Sequence, residues 1–355
     1  MVRQANAPSR ASTSPSSSSA HSITDVAALA SVSIATVSRV LSGKRQKDDD
    51  IARRVRQAAE QLNYSVNVAA SSLRGAGTRT VGLVIPSATD EFAAQLLDAL
   101  ESAADDRDSQ VLLGVGGTKA LQTARVESLI SRNVDGLIVL PATGADLTPI
   151  LERHAGRIPI VQIGNGRRSR NYSQVSLDEL LAMEQIVDHL ASLGAKTVAY
   201  MAGRKVSFES AEQFSMLHTQ LRSFGLETKA AWNQFGDQTV QRGYDCAMRI
   251  FAQDKPDAVI CCDDKVALGV IVALHSLGLR APEDVMLVGQ NNAPLCETAS
   301  PSITTLRPPF EQIAEESLRL IAQGPNYPSE VSLTSQLIVR ESTVGTATTR
   351  QITAR

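Results

Sequence analysis

The sequence has no run of about 18 or more apolar residues, which excludes a hydrophobic helix long enough to span a bilayer. Its N-terminus, MVRQANAPSRASTSPSSSSAH, has no apolar stretch like the core of a secretory signal peptide. The same stretch is rich in Ser, Ala and Pro, and we expect a disordered tail over residues 1–21. These absences predict a cytoplasmic protein.

Cysteine is scarce, and its spacing shows no metal site. The four cysteines are Cys246, Cys261, Cys262 and Cys296. Cys261 and Cys262 lie in an apolar run, where buried free thiols are the expected state. The five histidines also lack the spacing of metal ligands, so we expect neither a bound metal nor another cofactor.

Recognisable catalytic motifs are lacking as well. The sequence contains neither G-x-S-x-G nor H-E-x-x-H. The run GVGGTK has Lys119 where a dinucleotide fingerprint requires glycine, and no glycine directly before that lysine, so a strand-to-helix turn is the better interpretation. Asp263 and Asp264 could form an acid/base pair, but ligand hydrogen bonding or helix N-capping is favoured. We expect no enzymatic activity.

The net charge of −2 conceals an uneven distribution of charge. Residues 1–75 carry ten Lys/Arg and five Asp/Glu, whereas the remaining 280 residues carry 25 basic and 32 acidic residues. A small basic module joined to a larger acidic body favours a polyanion as the partner of the first module.

Residues 22–63 are predicted to form three short helices. Thr24 or Asp25 is placed to cap the first helix. Its apolar positions are Val26, Leu29 and Ala30. Ser33 is placed to N-cap the second helix, and the third starts at Asp48, where three aspartates complement the helix dipole. This arrangement is the helix-turn-helix pattern.

The second helix, within VSIATVSRVLSG, has two faces of different chemistry. Val37, Val40 and Leu41 recur at the spacing of a core-facing stripe. The opposite stripe consists of Ile34, Ala35, Ser38, Arg39 and Ser42. A helix face that only meets water usually carries Glu and Lys, so this stripe is expected to contact a partner.

From Thr80 onward the sequence alternates between apolar strands and amphipathic helices. Helical segments are predicted at 91–106, 119–132, 178–193, 208–224, 239–254, 265–277 and 309–323. Strands that are apolar throughout indicate parallel sheets covered on both faces. Two lobes suit this length better than one, with a break near residue 177. Ligands of such sheets lie beyond the carboxyl ends of the strands.

Several motifs together resemble the LacI/GalR family of transcriptional regulators. ITDVAALASVSIATVSRVLSG is similar to its helix-turn-helix, and LNYSVNVAASSLR resembles its hinge motif. RTVGLVIP, VDGLIVLP, LGLRAPEDVMLVG, PSITTLRP and LIVREST resemble landmarks of its ligand-binding core. Their order and spacing are far more specific than any single motif, and they cover residues 22–343.

The resemblance implies a small all-α helix-turn-helix domain followed by a two-lobed α/β core like type I periplasmic binding proteins, with parallel sheets. It implies a homodimeric repressor, less often an activator, on a pseudo-palindromic operator of double-stranded DNA, controlled by a small effector between the lobes. The expected boundaries are a tail at 1–21, the DNA-binding domain at 22–64, the hinge at 65–78, the core at 79–343 and a tail at 344–355. Lobe 1 is expected at 79–177 plus 306–343, and lobe 2 at 178–305.

The resemblance also implies the DNA-binding residues. The full set is Thr24, Ser33, Ile34, Ala35, Thr36, Ser38, Arg39, Ser42, Asn67, Ala70 and Leu73. Arg39 is suited to guanine, and Ile34 and Ala35 to a thymine methyl group, whereas the hydroxyl side chains suit phosphates. Leu73 resembles the leucine that family dimers insert into the minor groove.

Two departures from the family pattern affect the backbone. Ser31 replaces the usual glycine of the turn, so it carries modest strain if that position requires a positive φ. Val66 replaces the proline that usually precedes the hinge asparagine, which leaves the free hinge less constrained.

The effector pocket departs further. The candidate residues are Ser87, Asp90, Phe92, Asn165, Gln213, Gln238, Asp263, Gln290, Asn291 and Phe310. Gln213 stands where the family commonly has an arginine, Gln238 where it has an aromatic residue, and Asp263 where it has an asparagine. Three neutral amides of VGQNN replace an aromatic and acidic sequence. A neutral polyol, a cation near Asp263 and no small effector at all remain open, whereas an anion bound by Gln213 is disfavoured.

Two other classes of protein fit the sequence less well. A solute-binding protein of transport would carry an export signal and no N-terminal helices, and the sequence fails both conditions. An α/β enzyme is disfavoured because the glycine-rich templates fail. A DNA-binding regulator is therefore the favoured interpretation.

Overall fold

The computed structural model describes residues 21–41, 45, 47–64, 77–164, 169–203 and 208–345. The chain divides into two compact units, Met1–Thr78 and Arg79–Arg355. The first holds helices α1 (Ile23–Ala30), α2 (Ile34–Leu41) and α3 (Asp50–Gln61). The three helices predicted for residues 22–63 are therefore present.

Small and β-branched side chains form the core of the first unit. Val26, Val37 and Val55 are fully buried, and alanines of α1 and α3 fill the space between them. Leu41 is half-buried and packs against this core. Of the apolar positions of α1, Val26 and Ala30 are buried, whereas Leu29 is 50% exposed.

Two of the predicted helix starts need correction. Ser22 caps α1 rather than Thr24 or Asp25, and Asp25 accepts a bond from the Ser22 amide in return. Asp49 caps α3 through the Ala52 amide at 3.1 Å, so that helix begins at Asp50 and not at Asp48. Ser33 does accept a hydrogen bond from the Thr36 amide at the start of α2, at 3.2 Å.

The second unit alternates strands and helices along almost its whole length. In chain order the elements are β1 (Thr80–Ile85), α4 (Glu91–Asp105), β2 (Gln110–Val115), α5 (Lys119–Ser131), β3 (Gly136–Val139), α6 (Thr148–His154), β4 (Ile160–Ile163), β5 (Ser173–Leu177), α7 (Glu179–Ser192), β6 (Val198–Ala202), α8 (Phe208–Ser223), a 3₁₀ turn (Ala230–Trp232), β7 (Asn233–Phe235), α9 (Val240–Phe251), β8 (Ala258–Cys261), α10 (Asp264–Ser276), β9 (Met286–Gln290), α11 (Leu295–Thr298), β10 (Thr304–Arg307), α12 (Phe310–Gln323), β11 (Glu330–Leu333) and β12 (Gln336–Ile338). The predicted helical segments agree with α4, α5, α7, α8, α9, α10 and α12 within three residues.

Two six-stranded sheets form the centres of two lobes. The sheet of lobe 1 has the order β11-β5-β4-β3-β1-β2, and all its strand pairs are parallel. The sheet of lobe 2 has the order β12-β10-β9-β8-β6-β7, in which only the β10–β12 pair is antiparallel. Each sheet has an apolar cluster on both faces, as its apolar strands predict.

The chain passes between the lobes three times, which corrects the expected boundaries. It crosses after β5, again between β10 and α12, and a third time between β11 and β12. Residues 306–343 therefore do not all belong to lobe 1, because β12 completes the sheet of lobe 2. The segment after β12 is also bound to lobe 2, since the Ser342 hydroxyl donates a hydrogen bond to the Leu287 carbonyl of β9 at 2.6 Å.

Candidate DNA-binding surface and effector cleft

The polar stripe of α2 faces outward from the helical unit. Ile34 is 44% exposed, and Ala35 and Arg39 are exposed as well, whereas Val37 and Val40 of the same helix are buried. An exposed isoleucine beside an arginine leaves apolar surface in water unless a partner covers it. Of the other predicted DNA contacts, Thr24 and Ser33 are exposed and Thr36 and Ser38 are half-buried. Ser42, Asn67, Ala70 and Leu73 lie outside the described residues.

The turn that sets α2 against α1 depends on Ser31. Its φ is 54°, in the left-handed region, and its amide donates to the carbonyls of Ala27 and Ala28 at the end of α1. The backbone therefore adopts the conformation that glycine accepts most readily, and the serine side chain adds strain.

Arg45 ties the chain after α2 to the start of α3. Its amide donates to the Arg39 carbonyl at 3.0 Å, and its guanidinium lies 2.5 Å from the Asp49 carboxylate. The hydrogen bond from Arg45 holds the pKa of Asp49 below its ordinary value. Arg45 thus links the carboxylate that caps α3 to the backbone of Arg39, the residue predicted to contact bases.

A cleft between the two lobes of the second unit encloses a cavity of about 520 Å³. Six of the predicted effector residues line it, namely Asp90, Phe92, Gln213, Gln238, Gln290 and Asn291. Both lobes contribute, because Asp90 and Phe92 come from lobe 1 and the amide side chains from lobe 2. The cavity falls within the size range of small-molecule sites.

Three of the predicted residues that the structure describes do not line the cavity. Phe310 packs edge-on against Phe92, with ring centroids 5.1 Å apart. The Ser87 hydroxyl accepts a hydrogen bond from the Thr89 amide at 3.1 Å. Asp263 caps α10 and accepts a hydrogen bond from the side chain of Asn291. Asn165 lies outside the described residues.

Three acidic residues of the lining were missed from the sequence. Glu179 follows β5 and Asp237 follows β7, so applying the strand-end rule to those two strands would have found them. Glu212 lies within α8, where no local signal marks it. Among the described lining residues there is no Lys, Arg or His.

Hydrogen bonds orient the polar side chains of the lining. The Gln213 amide donates to the Glu179 carboxylate at 3.2 Å. The Arg242 guanidinium donates to the carbonyls of Gln234, Gly236 and Asp237, and so holds the loop that carries Gln238. These contacts place the acceptor oxygens and amide groups before any ligand enters.

Burial perturbs the acids and thiols at the end of β8. It raises the pKa of Cys262, which lines the cavity, to about 11, so its thiol is protonated and unreactive near neutral pH. Burial also raises the pKa of Asp263 to about 6 and that of Asp264 to about 7. All four cysteines are buried free thiols, which confirms the prediction made for Cys261 and Cys262.

Neither a cluster of metal-ligating side chains nor a membrane-spanning helix is found in the part of the chain that the structure describes. No group of three or more His, Cys, Asp or Glu side chains there is arranged to hold a metal ion. No single helix there is long and apolar enough to cross a bilayer, and α1 and α2 reach that length only as a pair bent by 102°.

Two protein-family profiles match the chain. Residues 22–67 match the family described as bacterial regulatory proteins, lacI family. Residues 187–343 match the periplasmic binding protein-like domain.

Individual relatives extend these matches over most of the chain. The HTH-type transcriptional repressor PurR of Pasteurella multocida is 28% identical over 330 residues, or 90% of this chain and 98% of the relative. Catabolite control protein A of Staphylococcus xylosus is 28% identical over 306 residues, or 86% and 92%.

Solved structures share the whole fold. The lac repressor dimer bound to operator and the anti-inducer ONPF matches with a TM-score of 0.80 at 24% identity, over 92% of this chain and 99% of that one. The complex of transcriptional regulator CelR with cellobiose matches with a TM-score of 0.67 at 26% identity, over 91% and 99%.

Proposed function

We propose that this chain, which joins a lacI-family DNA-binding domain to a periplasmic-binding-protein-like domain, is a transcriptional repressor controlled by a small effector. It acts in the cytoplasm as a homodimer on a pseudo-palindromic operator. The observation that carries this proposal is the exposed stripe of Ile34, Ala35 and Arg39 on α2, held outward by the buried Val37 and Val40. Its relatives are regulators rather than enzymes.

Base recognition falls to the outward stripe of α2. Arg39 reads guanine, and Ile34 and Ala35 read thymine methyl groups. Thr24, Ser33, Thr36, Ser38 and Ser42 carry hydroxyl groups suited to phosphate oxygens, which position the helix without reading sequence.

The hinge contributes a second kind of recognition. Asn67, Ala70 and Leu73 match the hinge motif of the family, and Leu73 resembles the leucine that unstacks and kinks the central base step. Replacing Leu73 by Ala should weaken operator binding and reduce the bend, which fluorescence energy transfer between dyes at the operator ends measures. An unchanged bend would contradict the wedge role.

Dimerisation is supported by an edge strand that exposes apolar side chains among the described residues. Strand β2 ends the sheet of lobe 1, and its Leu113 and Val115 are both 38% exposed. An open apolar edge of this kind usually requires a cover. In analytical ultracentrifugation, the dimer of a Leu113→Lys variant should dissociate at a higher protein concentration than the dimer of the native chain.

The effector of the proposed regulator is a neutral, hydroxyl-rich molecule. The cavity presents the amides of Gln213, Gln238, Gln290 and Asn291, which exchange hydrogen bonds with hydroxyl groups without requiring a charge. CelR, a relative of the same fold, is described in complex with cellobiose. Calorimetry against neutral sugars, polyamines and sugar phosphates tests this choice. Tight binding of a sugar phosphate would contradict it, and no binding at all would favour a regulator without a small effector.

The direct test of DNA binding is selection of bound fragments from the genome of the source organism. The native chain should enrich a pseudo-palindromic sequence, and the genes beside it indicate the class of effector. A triple Ile34→Ser, Ala35→Ser, Arg39→Ala variant keeps the core residues of α2 and serves as the control. Equal enrichment by both proteins would refute the assignment.

A further inference from the structure

Two side chains bridge the lobes at one side of the cleft. Lys265 of lobe 2 donates to the Thr89 carbonyl of lobe 1 at 3.0 Å, and its ammonium lies 3.6 Å from the Glu91 carboxylate. Gln95 of lobe 1 donates to the Asn291 carbonyl of lobe 2 at 2.9 Å. We call these contacts of Thr89, Glu91 and Gln95 with Lys265 and Asn291 the lobe bridge.

One carboxylate holds both lobe 2 members of the lobe bridge. Asp263 Oδ1 accepts a hydrogen bond from the Lys265 amide at 2.8 Å, and Oδ2 accepts one from Asn291 Nδ2 at 3.2 Å. The side chain is almost fully buried, with 5% exposed, so water does not readily replace either partner. Asp263 therefore fixes the positions of two residues that come from different elements, α10 and the loop after β9.

Asn291 connects this arrangement to the cavity. Asn291 lines the cavity, whereas Asp263 does not. Its backbone has φ 95°, outside the usual range for a non-glycine residue, and its amide donates to the Leu306 carbonyl at 2.9 Å. A ligand that binds the side-chain amide of Asn291 must share it with Asp263. The backbone carbonyl of Asn291 is the group that accepts the hydrogen bond from Gln95.

We propose that Asp263 is a positioning residue that couples occupancy of the cavity to the contact between the lobes. It acts through Asn291 and Lys265 and does not itself touch the ligand, in contrast to the direct binding expected from the sequence. The coupling rests on the effector cleft of the proposed function and is independent of DNA binding. A ligand that draws the Asn291 side chain away from Asp263 releases one half of the lobe bridge, and one that leaves the pair intact preserves it.

The Asp263–Asn291 pair permits an exchange experiment. In Asp263→Asn, the new amide nitrogen faces Asn291 Nδ2 unless the Asn291 amide turns over to present its oxygen, whereas in Asn291→Asp two carboxylates face each other and no such turn restores the hydrogen bond. The double variant Asp263→Asn with Asn291→Asp restores one donor and one acceptor in reversed order. The amide oxygen introduced at position 263 still accepts from the Lys265 amide. A general structural role would make the two substitutions additive, whereas a specific pair predicts rescue.

The distance between lobes is the readout. Nitroxide labels at Asp98 in α4 and His275 in α10, both exposed, report it by pulsed electron spin resonance, and the four native cysteines are buried and resist labelling. Labelled protein is diluted with unlabelled protein so that distances within one subunit dominate. Asn291→Asp should broaden the distribution, and the double variant should restore the native one. A native-like distribution in folded Asn291→Asp, or no rescue in the double variant, would overturn the proposal.

A lysine pair provides the matched control. Lys265→Met removes the ammonium of the lobe bridge and should broaden the same distribution. Lys255→Met removes an exposed ion pair with Asp284, 2.9 Å long and within lobe 2, and should leave it unchanged. These measurements need no effector, so they test the lobe bridge independently of the proposed function. If the distance distributions change as expected but no compound of the calorimetric panel binds, the lobe bridge is supported and its coupling to a ligand is refuted.

Discussion

Gly243 of α9 and Gly269 of α10 bring the backbones of two helices into direct contact. A Cβ atom on Gly269 would lie 2.0 Å from the Val240 carbonyl oxygen, and one on Gly243 would lie 2.1 Å from that of Val266. No side chain fits at either of these two positions. Since α10 starts at the cleft with Asp264, this contact sets the position of the helix whose cap is Asp263.

Replacing Gly269 by Ala should therefore separate α9 from α10. Overpacking of this kind costs about 1–3 kcal/mol, and urea titration followed by the fluorescence of the single tryptophan, Trp232, measures the loss in the same lobe. Gly117→Ala is the control, because its added Cβ would meet only the Pro86 carbonyl at 3.5 Å. Equal stability of the two variants would show that the helices separate freely.

Replacing Ser31 by Gly should stabilise the helical unit. The native φ of 54° strains a serine but suits glycine, and the gain should be about 0.5–1 kcal/mol. Hydrogen exchange of amides within residues 22–64 should slow down. Ser33→Ala removes the cap of α2 and should accelerate exchange instead, at a cost of about 1 kcal/mol. Faster exchange in Ser31→Gly would contradict the strain argument.

Replacing Arg39 by Ala should relax sequence recognition at one symmetric pair of operator bases. The expected loss is about 1–3 kcal/mol at that pair, because the guanidinium reads a base edge. Fluorescence anisotropy with a set of single-base operator variants measures it. Uniform weakening on all sequences would assign Arg39 to the phosphates.

Asp264→Asn should change how stability depends on pH. Burial raises the folded pKa of Asp264 to about 7, above its ordinary value of 3.8, so the folded chain binds this proton more tightly than the unfolded chain. The stability that this proton contributes is complete below about pH 4 and is lost as the pH rises to about 7. The unfolding free energy of Asp264→Asn relative to the native chain should therefore rise between pH 5 and 8.

Asp284→Asn is the control for that measurement. A hydrogen bond from Lys255 lowers the pKa of Asp284, so its contribution is lost only as the pH falls below about 4. Its effect on stability should be constant between pH 5 and 8, measured by urea unfolding at each pH. A flat difference for Asp264→Asn as well would show that Asp264 titrates normally in the folded chain.

Local patterns predicted the helices, and their failures are local too. The spacing of Val37, Val40 and Leu41 identified the inward face of α2, because burial is strictly periodic on a helix. The cap of α1 was misplaced because Ser22, Thr24 and Asp25 are all competent caps, and only the backbone decides among them.

The cleft was predictable only where a strand end indicated it. Gln290 ends β9 and Asn291 follows it, and both were found, whereas Glu212 lines the cavity from within α8. Helix N-capping, one of the two interpretations favoured for Asp263, is confirmed by its bond to the Lys265 amide. Its second bond, to Asn291, was beyond the sequence, because a separation of 28 positions leaves no local pattern.

The three passages of the chain between the lobes have a mechanical consequence. Neither lobe is a continuous stretch of sequence, so cutting any one passage leaves both lobes joined through the other two. Three connecting segments that lie side by side also resist the twisting of one lobe about the other more than a single linker does. The connection between the lobes therefore survives cleavage of the backbone in one passage, and the three passages together restrict the directions in which the cleft opens.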